Sequence, residues 1–247
     1  MAFDLATLDA PFAALKAYDW GADAAPFKTI DDAVIAAHGD AALRGELEKR
    51  FSAILGAGTS RAAKEYVCRK LMMIGTAASV SPLATLLADK DNSHMARFAL
   101  ERISGPEAAD AIRKALGSVP GDLKFGMISS LAARHDAACV PMLAGLLAGD
   151  AKLAAAAAEA LGTIHTPEAL QALSAADPMA ANGVGKAVVD ARLACAEALL
   201  AAGKRTDALA VYKSLADVAK GKPEAKAVEL AATRGILACL DTLAAAS

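Results

Sequence analysis

A leucine recurs in this chain at a nearly fixed interval. Leu71, Leu100, Leu131 and Leu161 stand about 30 residues apart, a period that marks a stacked array of supersecondary units. A second aliphatic follows each at one constant offset, at Leu83, Ile112, Leu143 and Leu173. The constant offset makes each unit a helix, a short turn and a second helix in fixed relative placement. A unit this small cannot bury its apolar face alone, so neighbours must stack into one continuous core. The terminal units must then differ from the rest to close the ends.

Turn chemistry agrees with this division. Gly75, Gly105 and the stretch Ala133-Arg134-His135-Asp136 follow the first helices. Pro82, Pro106, Pro141 and Pro167 are expected to open the second helices, where a missing N–H leaves no bond unmade. Thr166-Pro167-Glu168 supplies an N-cap, a proline at the first helical position and an acid at the positive end of the helix dipole. Asp91-Asn92-Ser93, Gly121-Asp122 and Gly149-Asp150 mark the breaks between units. Composition points the same way. The chain is 55% hydrophobic but only 4% aromatic, and alanine carries much of the apolar share. Alanine favours helix and close helix approach, whereas a sandwich or barrel needs β-branched and aromatic residues. The expected class is all-α.

Three regions follow. Residues 1–60 form an N-terminal helical cap with weaker patterns at Leu5–Tyr18, Ile30–His38 and Leu43–Leu55. Asp19-Trp20-Gly21 breaks the first two patterns, and Trp20 reads either as a cap on the N-terminal core or as a binding aromatic. Residues 61–176 carry the repeats. Residues 177–187, with Pro178, Asn182, Gly183 and Gly185, interrupt them, so the next anchor, Leu199, comes later after Leu161 than one period allows. Residues 177–247 form further hairpins. One continuous solenoid accounts for all three regions.

The units LERISGPEAADAIRKAL and ALGTIHTPEALQAL resemble the short bacterial HEAT repeats, the type also found in phycobilin lyases. The resemblance covers 61–176, about half the chain. It implies an α-solenoid of right-handed stacked helical hairpins, a HEAT/armadillo-like superhelix. The segment ARLACAEALLAAGKRTDALAVYKSL, Ala191–Leu215, resembles a tetratricopeptide hairpin, with Gly203 in the turn, Ala208 at the close contact and Tyr212 in the large packing position. A drifted HEAT unit is the alternative for that region, and Val228–Leu243 adds one long helix. The family likeness implies a non-catalytic interaction or scaffold module of a bacterial HEAT-repeat protein. It also leaves open a lyase-like or chaperone-like solenoid acting on a cofactor-bearing protein, and a HEAT-like DNA glycosylase.

Charge argues against the last. The net charge is −2, from 26 basic and 28 acidic residues, and no segment is strongly basic. A nucleic-acid partner needs a basic footprint. The expected partner is a protein or peptide, with the chain a monomer or weak homodimer. The longest uncharged stretch, Leu71–Ala88, contains Gly75 and Pro82 and reads as two short helices, not a membrane span. Met1 leads into Phe3 and Asp4 with no basic or long apolar leader. The expected compartment is the cytoplasm, or outside it where a leader has been removed.

In HEAT units the second helix lines the concave side. Here Val80–Ala88 and Val140–Ala148 carry no charge, and Pro167–Ala176 carries only Glu168. Such a face suits an apolar helix or peptide, with Leu83, Leu143 and Leu146 as contacts. Burial by neighbouring helices explains the same pattern. Charges sit on the first helices. Arg69 and Arg102 fall about 160° and 200° from their anchor leucines, while Arg97 and Arg134 lie about 60° to either side. These four arginines read either as a solvated face or as an arginine-lined partner surface.

Catalytic and metal motifs are missing from the sequence, and no cofactor is expected. Gly56-Ala57-Gly58-Thr59-Ser60 lacks the lysine of a phosphate loop. Cys68, Cys139, Cys195 and Cys239 stand singly in apolar patterns and read as small core residues. His38, His94, His135 and His165 are scattered, and three lie near helix ends.

Overall fold

The computed structural model describes residues 3–56 and 58–244. Every regular element among them is helical. The chain divides into two compact units, Met1–Ser130 and Leu131–Ser247.

In the first unit a short 3₁₀ turn at Leu5–Leu8 leads into α1 (Asp9–Lys16) and α2 (Phe27–Ala36). Then come α3 (Ala41–Leu55), α4 (Arg61–Ile74), α5 (Ala77–Ala84), α6 (Ser93–Arg102), α7 (Pro106–Ser118) and α8 (Gly121–Ala133), whose last turn passes into the second unit. The second unit holds α9 (Val140–Leu146), α10 (Ala151–Ile164), α11 (Pro167–Ala175), α12 (Val184–Ala201), α13 (Arg205–Ala219) and α14 (Lys226–Ala244). Within each unit the helices form two layers. Helices α2, α4 and α6 pack in one layer of the first unit, and α3, α5 and α7 in the other. In the second unit α10 packs on α12 and α12 on α14, while α9 packs on α11. Stacked helical hairpins are therefore the building principle of both units.

The anchors explain the stacking. Leu71, Leu83, Leu100, Ile112, Leu131, Leu143, Leu161 and Leu173 are all 0% exposed. Each first-helix leucine and the aliphatic that follows it are core residues of the same hairpin. The helix starts are set by side-chain caps. Asp40, Ser60, Asp150 and Thr166 accept from backbone N–H groups of α3, α4, α10 and α11 respectively. Such caps contribute about 0.5–2 kcal/mol each. Pro106, Pro141 and Pro167 lie in the first turn of α7, α9 and α11 as expected.

Pro82 is different: it lies inside α5 instead of opening it. The helix begins earlier because Thr76 caps it, with Oγ1 accepting the Ala78 N–H at 3.3 Å. Glu48 of α3 fixes that start, accepting the Thr76 N–H at 2.7 Å and the Ser79 hydroxyl at 2.6 Å. Pro82 then removes the bond to the Ala78 carbonyl, and α5 ends soon after, at Ala84.

Trp20 also departs from its reading as a core cap, being 66% exposed. The N-terminal core is closed by other rings. Tyr18 meets Phe27 edge-on at 4.9 Å, Phe27 meets Tyr66 at 4.9 Å, and Phe12 meets Phe51 at 5.2 Å between centroids.

In the C-terminal hairpin Gly203 takes φ +76° in the turn, Ala208 is 0% exposed and Tyr212 is 3% exposed. Tyr212 lies over Gly235 of α14, where a Cβ would overlap its ring. The break after α11 is shorter than the glycines suggest. Gly185 already lies in α12, with its Cα against the backbone of Pro178 and Ala180.

Candidate functional site

Alanine-rich second helices leave space between them once their larger aliphatics have turned inward. In the first unit a groove of about 620 Å³ runs between α5 and α7. Ala77, Val80, Ala84, Ala111 and Ala115 line it, with Glu107 and Lys114 as its charged lining residues. In the second unit a groove of about 620 Å³ lies between α9, α11 and the turn before α12. Ala144, Leu147, Ala148, Ala172 and Ala175 line it, with Asp177 as its charged lining residue. Each groove lies between consecutive second helices of its own unit.

The residues expected to meet a partner are distributed differently. Leu83 and Leu143 are fully buried, so these two leucines hold the layers together and leave the groove surface to alanines. Leu146 is half-buried and lines neither groove. Arg69 and Arg102 are exposed, and Arg69 pairs with Glu65 on its own helix. Arg134 is half-buried. Arg97 is half-buried: its Nη1 donates to the Gly126 carbonyl and to Ser130 Oγ, both at 2.9 Å, and ties α6 to α8. Its angle from the anchor leucine sets it at the core margin, where a long side chain reaches the next helix. Burial pulls its pKa down, and the nearby Glu101 partly offsets this. Ser130 Oγ in turn donates to Glu101 at 2.6 Å. Exposed apolar side chains include Trp20 and Ile35, Met73 and Phe98 on the helices of Arg69 and Arg97, and Leu230, Leu237 and Leu240 along α14.

Several polar groupings appear that residue types alone did not indicate. Asp31 accepts the Tyr66 hydroxyl at 2.5 Å and the Lys70 ammonium at 2.8 Å. Burial, then this carboxylate, raises Tyr66 well above the phenol range. Asp32 turns away to Lys28, so the two adjacent acids serve separate partners. His135 and His165 lie with ring centroids 5.5 Å apart. Both take positive φ, +49° and +42°, at helix ends where glycine is usual. The detectable signal was their equal offset from Leu131 and Leu161. His165 Nδ1 lies 2.6 Å from the Thr163 carbonyl.

All four cysteines are buried thiols. Burial pushes Cys68 up to about 12 and Cys195 up to about 11. Among the described residues no cluster of three or more His, Cys, Asp or Glu is placed to hold a metal ion. No helix of the described residues is long and apolar enough to cross a membrane.

Comparison with known families bears on the second unit. The family model described as PBS lyase HEAT-like repeat matches residues 153–176. That span covers most of α10, all of α11 and the Thr166 cap between them. No curated protein matches the chain. The matched repeat and the layered helix pairs give an all-α chain that carries HEAT-like repeat structure.

Proposed function

We propose that this chain is a non-catalytic protein-binding module, and that the alanine-lined grooves between second helices receive an apolar helix or extended segment of a partner protein. The observation that supports this reading is the recurrence of the same groove in both units, with small side chains along it and charge limited to Glu107, Lys114 and Asp177. Small residues let another backbone approach closely, so a helix presenting leucine or valine at i, i+3, i+4 and i+7 fits such a trough. Lys114 is the one basic residue in the two groove walls, which disfavours a phosphate backbone as occupant.

The test is a displayed library of amphipathic helical peptides selected on the intact chain. Selected sequences with an apolar face, whose binding is lost in Ala111→Leu, in Ala172→Leu or in both, support the proposal. Both positions are half-buried groove walls, and circular dichroism shows whether each variant keeps its helices. Selected peptides that bind both variants as tightly as the parent remove the groove as the site.

The description of the matched repeat favours a second reading, lyase-like or chaperone-like action on a cofactor-bearing protein. Its measurement is chromophore attachment to an apoprotein with and without this chain. Equal yields in the two reactions remove it.

A further inference from the structure

Arg97, half-buried, and Arg192, buried, are both drawn away from water, and their surroundings differ. Arg97 has Gly126, Ser130 and the nearby Glu101 around its guanidinium. Arg192, near the middle of α12, is 5% exposed and makes one hydrogen bond, from Nη2 to Ser214 Oγ of α13 at 2.8 Å. Its Nε is buried without a hydrogen-bond partner. No carboxylate pairs with it among the described residues, and burial alone pulls its pKa down with no acid to offset the effect. A guanidinium stays charged in proteins, so this is a cation taken from water without a counter-charge. Such a group is strongly unfavourable unless something answers it.

Arg192 does not sit in a closed core. It lines a cleft of about 410 Å³ between α11, α12 and α13. Ser174 and Ser214 line the same cleft, Ser214 with its hydroxyl on the guanidinium, and Pro178, Val211 and Val218 supply apolar wall. A planar fork of N–H donors among serines matches the chemistry of a carboxylate or phosphate group. The volume suits a small molecule, with the apolar wall against its carbon body.

We propose that this cleft binds a small oxyanionic ligand, a carboxylate or a phosphate, through the Arg192 guanidinium with Ser214 and Ser174 beside it. The site is separate from the alanine-lined grooves and does not depend on the role assigned to them. It also assigns a reason for keeping a charge where an apolar side chain would pack: Arg192 serves a ligand at the expense of stability.

The experiment is thermal unfolding and calorimetry of the full chain with sodium phosphate or sodium acetate, against sodium chloride at equal ionic strength. Phosphate or acetate raises the unfolding temperature of the parent in a saturable way, and the stronger of the two identifies the preferred oxyanion. Arg192→Met abolishes that rise and is as stable as the parent, or more so, in chloride alone. Ser214→Ala weakens binding about tenfold by removing the hydroxyl beside the guanidinium. The proposal is overturned if neither anion acts beyond chloride, or if both act equally on parent and Arg192→Met. A loss of stability in Arg192→Met with no anion effect on the parent assigns Arg192 to helix packing instead.

Discussion

Ser79 of α5 donates its hydroxyl across 2.6 Å to Glu48 of α3, a carboxylate only 4% exposed. The same carboxylate accepts the Thr76 N–H and hydroxyl, so one side chain of one hairpin fixes where the next hairpin's second helix begins. Glu48→Ala takes the acceptor from the buried Ser79 hydroxyl and from the half-buried Thr76 donors. The expected loss is about 2–3 kcal/mol. Glu48→Gln keeps one acceptor oxygen and is expected to lose about 1 kcal/mol. Urea denaturation followed by circular dichroism measures both, and equal midpoints for Ala and parent contradict the assignment.

Arginines on first helices separate into packing and surface groups. Arg97→Ala removes the link to Gly126 and Ser130 and is expected to lower stability by about 2–3 kcal/mol. Arg102→Ala touches an exposed position and is expected to change stability by less than about 0.5 kcal/mol. A larger loss at Arg102 than at Arg97 in the same denaturation assay contradicts this placement.

Glycines in helices respond with opposite signs. A Cβ at Gly162 of α10 lies 2.8 Å from the Cα and Cβ of Ala191 in α12, so Gly162→Ala forces the two helices apart. Overpacking of this kind destabilises by about 1–3 kcal/mol. Gly45 in α3 is exposed and has nothing within 4 Å of a built Cβ. Gly45→Ala is expected to stabilise by about 0.5–1 kcal/mol. Melting temperatures that move the same way in both variants are the contrary result.

The thiols give a pH dependence. Cys68 is raised to about 12 and Cys195 to about 11, both from an ordinary value of 9.0, because burial disfavours the thiolate. Above about pH 9 the unfolded chain loses these protons and the folded chain keeps them. Stability contributed by the neutral thiols is therefore present below about pH 9 and falls as pH rises toward about 11–12. Cys68→Ser and Cys195→Ser should flatten that fall in denaturation midpoints taken from about pH 8 to 11. Native protein should also react slowly with a thiol reagent at about pH 8, and fast reaction of all four cysteines without unfolding counts against their burial.

The leucine interval by itself determined the helix–turn–helix unit, its core positions and most helix boundaries. Those follow from local rules: a recurring aliphatic with a partner at constant offset has only one face to bury, and proline or a hydroxyl cap acts within one turn. The charge pattern also placed Arg69 and Arg102 outward, since the angle from the anchor leucine fixes direction on a helix. Tertiary structure decided what lies between units of sequence. Only packing shows that Leu83 and Leu143 are consumed by the core and that alanines wall the grooves. Only packing brings Glu48 to Thr76, His135 to His165, and Arg192 to a cleft without an acid beside it. Each of these depends on which side chains meet across helices distant in sequence, a relation that the spacing along one helix does not encode.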